Sequence, residues 1–395
     1  EVGHGGRDLW VEDLAAGRGE GRRGVVAAGA GLALAGRRVS AFLSGTDLGA
    51  AQDLLMSAAG KHAPLVLHVG TRAAAAHGAT VGSGHETVHS SADTGFFILL
   101  AANVQEAVDL TYIARRVAEE SLVPGMVVMD GEQTALATQD VRLLSPGQAG
   151  EFIGAARDDV AAPTPAQQLL FGETRRRVPA WHDLDEPVLA GALFDKDSFA
   201  LGAAANRAFF DAFVSDALSD SFERFAAKTG REYGALSRYP MQDATTLLVA
   251  QGAAIETARV AADQLRKHHK VKAGVLGIRA LRPFPASEVK AALDGCDGVF
   301  VLERTAAPIA GEPPLTRELR ASVDKLTPVL YGLGGLPLRV ADLVELCTRS
   351  DAHARKPWFL GMAFDDSSGD QPKREVMLDA LRRAYPEVAG SAVRS

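Results

Sequence analysis

The chain has 395 residues, 47% of them hydrophobic and 23% charged, enough for two or three domains with full cores and too apolar for disorder. Its 42 Lys and Arg against 49 Asp and Glu leave a net charge of −7, which excludes a basic nucleic-acid footprint. Two cysteines, Cys296 and Cys347, with no Cys-x-x-Cys, exclude a disulfide framework and iron–sulfur ligation by this chain. No apolar run reaches the ~20 residues of a membrane helix and no signal peptide opens the sequence, so the chain reads as cytoplasmic.

Residues 1–20 carry scattered glycines and no clean strand pattern. The Ala/Gly-rich stretch 25–34 suits a helix packed closely on a sheet, and 39–43 a strand. Residues 47–59 predict a helix with Leu48, Ala51, Leu54, Leu55 and Ala58 on one face. A buried strand, 64–69, ends at Gly70-Thr71-Arg72. Asn103 is a good N-cap, and Glu106 three positions on makes a capping-box pair for a helix over 103–120. Residues 125–129 form a strand closing on Asp130-Gly131. This alternation predicts a doubly wound α/β domain.

The stretch 151–240 is less regular, with loop-like 161–165 and a mixed-charge run over 175–186. Phe209, Phe210, Phe213, Leu218, Phe222 and Phe225 then make a helical stripe, read as core packing against a second domain. That domain is the most legible part. Strand 245–250, a helix from Ala253 ending in Arg266-Lys267-His268-His269, strand 271–278, helix 287–293 and strand 298–302 follow with short joints, so the sheet is parallel. Pro283 and Pro285 must stop the strand before them. Beyond come strand 328–331, the tight loop Gly332-Leu333-Gly334-Gly335, helix 340–347 and an amphipathic helix over 377–385. The expected division is 1–150, a helical and loop linker 151–240, a second domain 241–372, and a C-terminal helix and tail 373–395.

Gly252-Ala253-Ala254-Ile255-Glu256-Thr257, the Arg-x-x-Arg-Pro-Phe at 279–284, Leu302-Glu303-Arg304-Thr305 and Gly311-Glu312-Pro313 stand in an order that resembles the second domain of pyruvate:ferredoxin and other 2-oxoacid:ferredoxin or flavodoxin oxidoreductases. His68 to Arg72, His77, Thr94-Gly95-Phe96, Val104 to Ala107, Val123-Pro124 and Asp130-Gly131 are similar to the same family's first domain, which holds the pyrimidine end of thiamine diphosphate. The resemblance covers nearly the whole chain, from about Gly6 to the acidic stretch near Asp366. It implies two largely parallel α/β domains of thiamine-enzyme type, the second like the transketolase C-terminal domain.

Arg72 directly follows a buried strand, where ligands bind in open α/β sheets. By the resemblance it matches the arginine that holds the 2-oxoacid carboxylate, a task for a bidentate donor; the alternative is an ion pair at a domain interface. Glu20 lies near the place of the glutamate that bonds the aminopyrimidine ring, but that role takes a small register shift, and the ungapped match falls on an arginine. Otherwise it is an exposed loop carboxylate. His85-Glu86-Thr87-Val88-His89 has the spacing of a zinc-protease helix, yet Gly82-Ser83-Gly84 before it and Ser90-Ser91 after it predict loop or strand and no zinc. His68 and His77 read as structural, and Asp130-Gly131 as a strand-ending turn.

Departures from the family fall on polar pocket positions. Its Tyr-Pro-Ile-Thr-Pro segment is absent, Ala92-Asp93 stand where it has Arg-Gln, and Glu132 to Ala137 replace Phe-Arg-Thr-Ser-His-Glu. The resemblance implies the α-type subunit of a thiamine-diphosphate-dependent 2-oxoacid:ferredoxin oxidoreductase with a homodimeric core and coenzyme A as cosubstrate. Without a Gly-Asp-Gly motif or cluster cysteines, partner chains would supply the diphosphate–magnesium site and the iron–sulfur clusters, with ferredoxin or flavodoxin as acceptor. A catalytically degenerate scaffold of such a complex is the alternative, and a transketolase-like component of another thiamine enzyme a third.

Overall fold

A computed structural model describes residues 8–11, 17–181, 194–352, 357–362 and 372–394; residues 182–186 of the mixed-charge run and the surroundings of Asp366 lie outside them. The chain groups into two compact units. One comprises Glu1–Ala74, Thr87–Ala235 and Arg279–Pro285, the other Ala75–Glu86, Leu236–Ile278 and Ala286–Ser395.

The first unit is built on β1 (Asp8–Val11), β2 (Gly17–Arg18), β3 (Val39–Ser44), β4 (Val66–Thr71), β5 (Phe97–Ala101) and β6 (Gly125–Asp130). Strands β5, β6, β4 and β3 lie side by side and parallel, in that order. Antiparallel β1 and β2 extend the β3 side, so a strand does form at 8–11, where the sequence carried no strand signal. On the other side, strand Ala280–Arg282 pairs antiparallel with β5.

Helix α1 (Gly21–Leu34) precedes β3; α2 (Gly45–Ala50) and α3 (Gln52–Gly60) follow it. The single helix expected over 47–59 is thus two, broken at Ala51, with the Ser44 hydroxyl accepting the Asp47 N–H at 3.3 Å. A short helix, α4 (Glu86–Ser90), contradicts the loop or strand expected at the His85 motif. The hydroxyls of Ser90 and Ser91 donate back to the Thr87 carbonyl and close its last turn, so these serines end a helix instead of preventing one.

Helix α5 (Val104–Ser121) starts as expected, with Asn103 accepting the Glu106 N–H at 2.9 Å, and buries Ala107, Leu110, Ala114, Val117 and Ala118. Beyond it lie α6 (Pro146–Ile153), the hairpin β7 (Asp159–Ala161) and β8 (Thr174–Arg176) with α7 (Pro165–Phe171), α8 (Lys196–Asn206), and α9 (Phe213–Thr229). The phenylalanine stripe belongs here, which corrects the expectation that it packs against the second domain. Helix α9 packs on α5, and Phe210, Phe222 and Phe225 join the first unit's core, with Phe225 edge-on to Phe152. Phe209 points outward, 45% exposed.

The second unit carries β9 (Leu236–Tyr239), β10 (Thr246–Ala250), β11 (Ala273–Ile278), β13 (Gly298–Glu303), β14 (Leu326–Leu330), β15 (Trp358–Leu360) and β16 (Ala392–Val393), β12 being the strand Ala280–Arg282 already described. Strand β10 is interior, parallel to β11 on one side and β13 on the other, and only β9 runs antiparallel. Its helices are α10 (Ala254–Gln264), α11 (Ala286–Leu293), α12 (Pro314–Arg320), α13 (Val340–Thr348) and α14 (Pro372–Ala384). Both units are α/β with largely parallel sheets. Among the described residues no helix is long and apolar enough to cross a membrane.

Candidate active site

Because β3, β4, β5 and β6 are parallel, their last residues, Ser44, Thr71, Ala101 and Asp130, open on one edge of the first sheet. Carboxyl edges are where open α/β sheets bind ligands. Arg72 is the first residue beyond β4. It is exposed and makes no ion pair among the described residues. Gly45, where α2 begins, lies against its backbone. A Cβ there would stand 2.9 Å from Arg72 N and 3.0 Å from both Arg72 O and the Thr87 hydroxyl. Only glycine lets the β3–α2 turn approach so closely.

Ser44 donates to the buried Asp47 carboxylate at 2.9 Å, and Thr71 reaches Asp130 Oδ1 at a long 3.4 Å. Strand β6 then gives way to a π turn, Gly131–Ala135, of a kind frequent at functional sites. The Thr134 hydroxyl within it and that of Thr87 are buried without a hydrogen-bond partner among the described residues. Sequence reasoning missed Gly45, Thr87 and Thr134.

Glu20 is the residue before α1, extended and exposed, and its side chain does not cap the helix. Helix α1 doubles back into β3, which sets its first turn at the carboxyl end of that strand; Arg23 of that turn pairs with Asp53 at the start of α3. Glu20 and Arg72 therefore share one edge of the sheet, with no hydrogen bond between them.

The histidines go elsewhere. His68 is buried mid-strand under the ring of Phe42, centroids 4.7 Å apart, and burial with the nearby Arg115 charge lowers its pKa to about 3. His77 is exposed. In the second unit the buried His85 donates its backbone N–H to the Arg304 carbonyl at 3.1 Å. Nearby, Glu303 at the end of β13 accepts from Thr316 N at 2.6 Å and Thr316 Oγ1 at 2.8 Å, holding the first turn of α12. Burial raises its pKa to about 6 against those hydrogen bonds. Among the described residues, no group of three or more His, Cys, Asp or Glu could hold a metal ion.

Two family models match. Residues 12–183 fit "Pyruvate flavodoxin/ferredoxin oxidoreductase, thiamine diP-bdg", and 244–343 fit "Pyruvate:ferredoxin oxidoreductase core domain II". The chain is 28% identical over 315 residues to a probable pyruvate-flavodoxin oxidoreductase of Escherichia coli, covering 80% of this chain and 25% of that protein. It is 26% identical over 351 residues to the pyruvate synthase subunit PorA of Methanothermobacter thermautotrophicus, covering 87% of this chain and 84% of that one. It thus spans about a quarter of the length of the flavodoxin-type relative and most of the PorA subunit. In fold it is similar to a 2-oxoglutarate:ferredoxin oxidoreductase from Magnetococcus marinus, solved with 2-oxoglutarate, coenzyme A and succinyl-CoA bound. The TM-score is 0.54 at 18% identity, over 83% of this chain and 56% of that one. With one model lying chiefly on each sheet, in chain order, the chain belongs to the pyruvate:ferredoxin oxidoreductase family.

Proposed function

We propose that this chain is the α-type subunit of a thiamine-diphosphate-dependent 2-oxoacid:ferredoxin oxidoreductase acting on a pyruvate-like acid. The observation that carries the reading is Arg72, an exposed guanidinium without an ion pair among the described residues, at the carboxyl end of a parallel strand. Its planar fork suits a carboxylate, which it would bind by two parallel hydrogen bonds and so fix the orientation of the adjacent carbonyl.

The edge also fits the pyrimidine end of the cofactor. The Glu20 carboxylate is not spent on capping its helix, Gly45 leaves a close-packed turn, and the buried hydroxyls of Thr87 and Thr134 lack partners among the described residues. When bound, thiamine diphosphate supplies the carbanion-stabilising chemistry of decarboxylation. Glu20 would hold a hydrogen bond to the aminopyrimidine ring, and Arg72 would hold the acid.

For the diphosphate and its magnesium, no group of acidic or histidine ligands gathers among the described residues, which supports a site shared with a partner chain. Partner chains would also carry the iron–sulfur clusters, since this chain has two cysteines, Cys296 and Cys347, where a cluster takes four. Coenzyme A as acyl acceptor, ferredoxin or flavodoxin as electron acceptor, a homodimeric core and a cytoplasmic site complete the proposal.

The departures at Ala92-Asp93 and over 132–137 favour the second reading, a degenerate scaffold of the same complex. Copurification with identification of partners by mass, followed by 2-oxoacid-dependent ferredoxin reduction by the reconstituted complex, tests the proposal. Turnover dependent on this chain supports the enzyme reading, and its absence in an assembled complex supports the scaffold.

A further inference from the structure

Thr87, at the centre of the His85–His89 motif, sits in a notch that α2 leaves open. Gly45 and Gly49 stand four residues apart and so share one face of that helix. A Cβ on Gly49 would lie 3.0 Å from the Thr87 methyl, and one on Gly45 would lie 3.0 Å from the Thr87 hydroxyl. The same Cβ on Gly45 would meet Arg72 N at 2.9 Å and Arg72 O at 3.0 Å. Thr87 and the Arg72 backbone thus close on one glycine, and all four residues belong to the first unit.

Thr87 is itself held in place. Its neighbour Val88 is fully buried in the core, and its carbonyl accepts the hydroxyls of Ser90 and Ser91 at 2.9 and 2.8 Å. Gln52, the first residue of α3, donates through Nε2 to Ser91 Oγ at 2.6 Å and ties α4 to that helix. Arg72 has no such support of its own, because the ladder between β4 and β6 ends at Thr71. We propose that Thr87 is a positioning residue: packed into the Gly45–Gly49 notch, it fixes the backbone of Arg72 and with it the reach of the guanidinium. The inference rests on the reading of Arg72 as the anchor of the acid's carboxylate. The motif with the spacing of a zinc helix then serves substrate binding by packing, and its histidines take no part.

The test moves one methyl across the notch in the reconstituted complex. Gly49→Ala crowds the Thr87 methyl and should raise KM for the 2-oxoacid about tenfold with kcat nearly unchanged. Alanine suits a helix better than glycine, so this variant should fold. In Gly49→Ala/Thr87→Ser the crowded methyl is gone and the new Cβ stands 3.8 Å from the Cβ of residue 87, an ordinary contact. This volume-conserving exchange should return KM to within about twofold of wild type. Crystal structures of the wild type and both variants read the anchor directly: the Arg72 backbone should shift in the single variant and return in the double. Unchanged KM in Gly49→Ala, kcat lost at constant KM, no recovery in the double variant, or an unmoved Arg72 backbone in Gly49→Ala would each overturn the proposal. An assembled wild-type complex that turns over no 2-oxoacid would sink the oxidoreductase reading alone, and the crystallographic shift would still decide the role of Thr87.

Discussion

His68 lies within β4, four positions before Arg72, which follows the strand's end, and the two have opposite surroundings. Burial under Phe42 favours the neutral imidazole and lowers its pKa to about 3. In the unfolded chain a histidine takes up its proton near pH 6.5. The unfolded state thus binds more protons between these values, so stability is lost as pH falls below about 6.5, at up to about 1.4 kcal/mol per pH unit. His68→Leu removes that proton, so its urea midpoint should fall less steeply than wild type between pH 6.5 and 4.5; parallel curves would contradict the assignment. Arg72 was legible because a buried strand ends there, and position alone marks such a residue. Thr87 and Thr134 were not, because whether a hydroxyl finds a partner depends on tertiary neighbours that no local pattern records.

Among the elements, Arg279 shows how a family motif can be structural. Its guanidinium pairs with the buried Glu106 carboxylate at 2.8 Å, and that carboxylate also accepts the Ala102 N–H at 3.0 Å. The Arg279 carbonyl accepts the Leu100 N–H at 2.7 Å, so the residue seats β12 on β5. Arg279→Ala leaves Glu106 buried without its cation and should cost about 3–5 kcal/mol in urea unfolding; a loss under 1 kcal/mol would refute this role. The prolines at 283 and 285 announced that a strand must stop before them, but not that a separate strand, β12, would form at Ala280–Arg282 and pair with one nearly two hundred residues earlier. Likewise the spacing of Phe210, Phe222 and Phe225 showed that a helix face is buried, and hydrophobic periodicity does not name the surface it meets. Small residues misled at Ser90 and Ser91, whose hydroxyls stop a helix as readily as they start a loop.

At the scale of the whole chain, alternation of strand and helix carried the two parallel sheets, since a parallel strand needs a crossover and the sequence shows those crossovers as helical periods. The site was less legible because it is shared by residues 20, 45, 72, 87 and 134, which only the fold gathers into one unit. The central claim is that this edge binds a 2-oxoacid beside a thiamine ring. In the complex reconstituted with its partner chains, Arg72→Ala should lower kcat/KM for the 2-oxoacid at least ~100-fold, and Glu20→Gln should lower kcat ~100-fold, the usual worth of a positioned proton-transfer group. Wild-type rates of 2-oxoacid-dependent ferredoxin reduction in both variants would contradict the account and place the chemistry outside this chain.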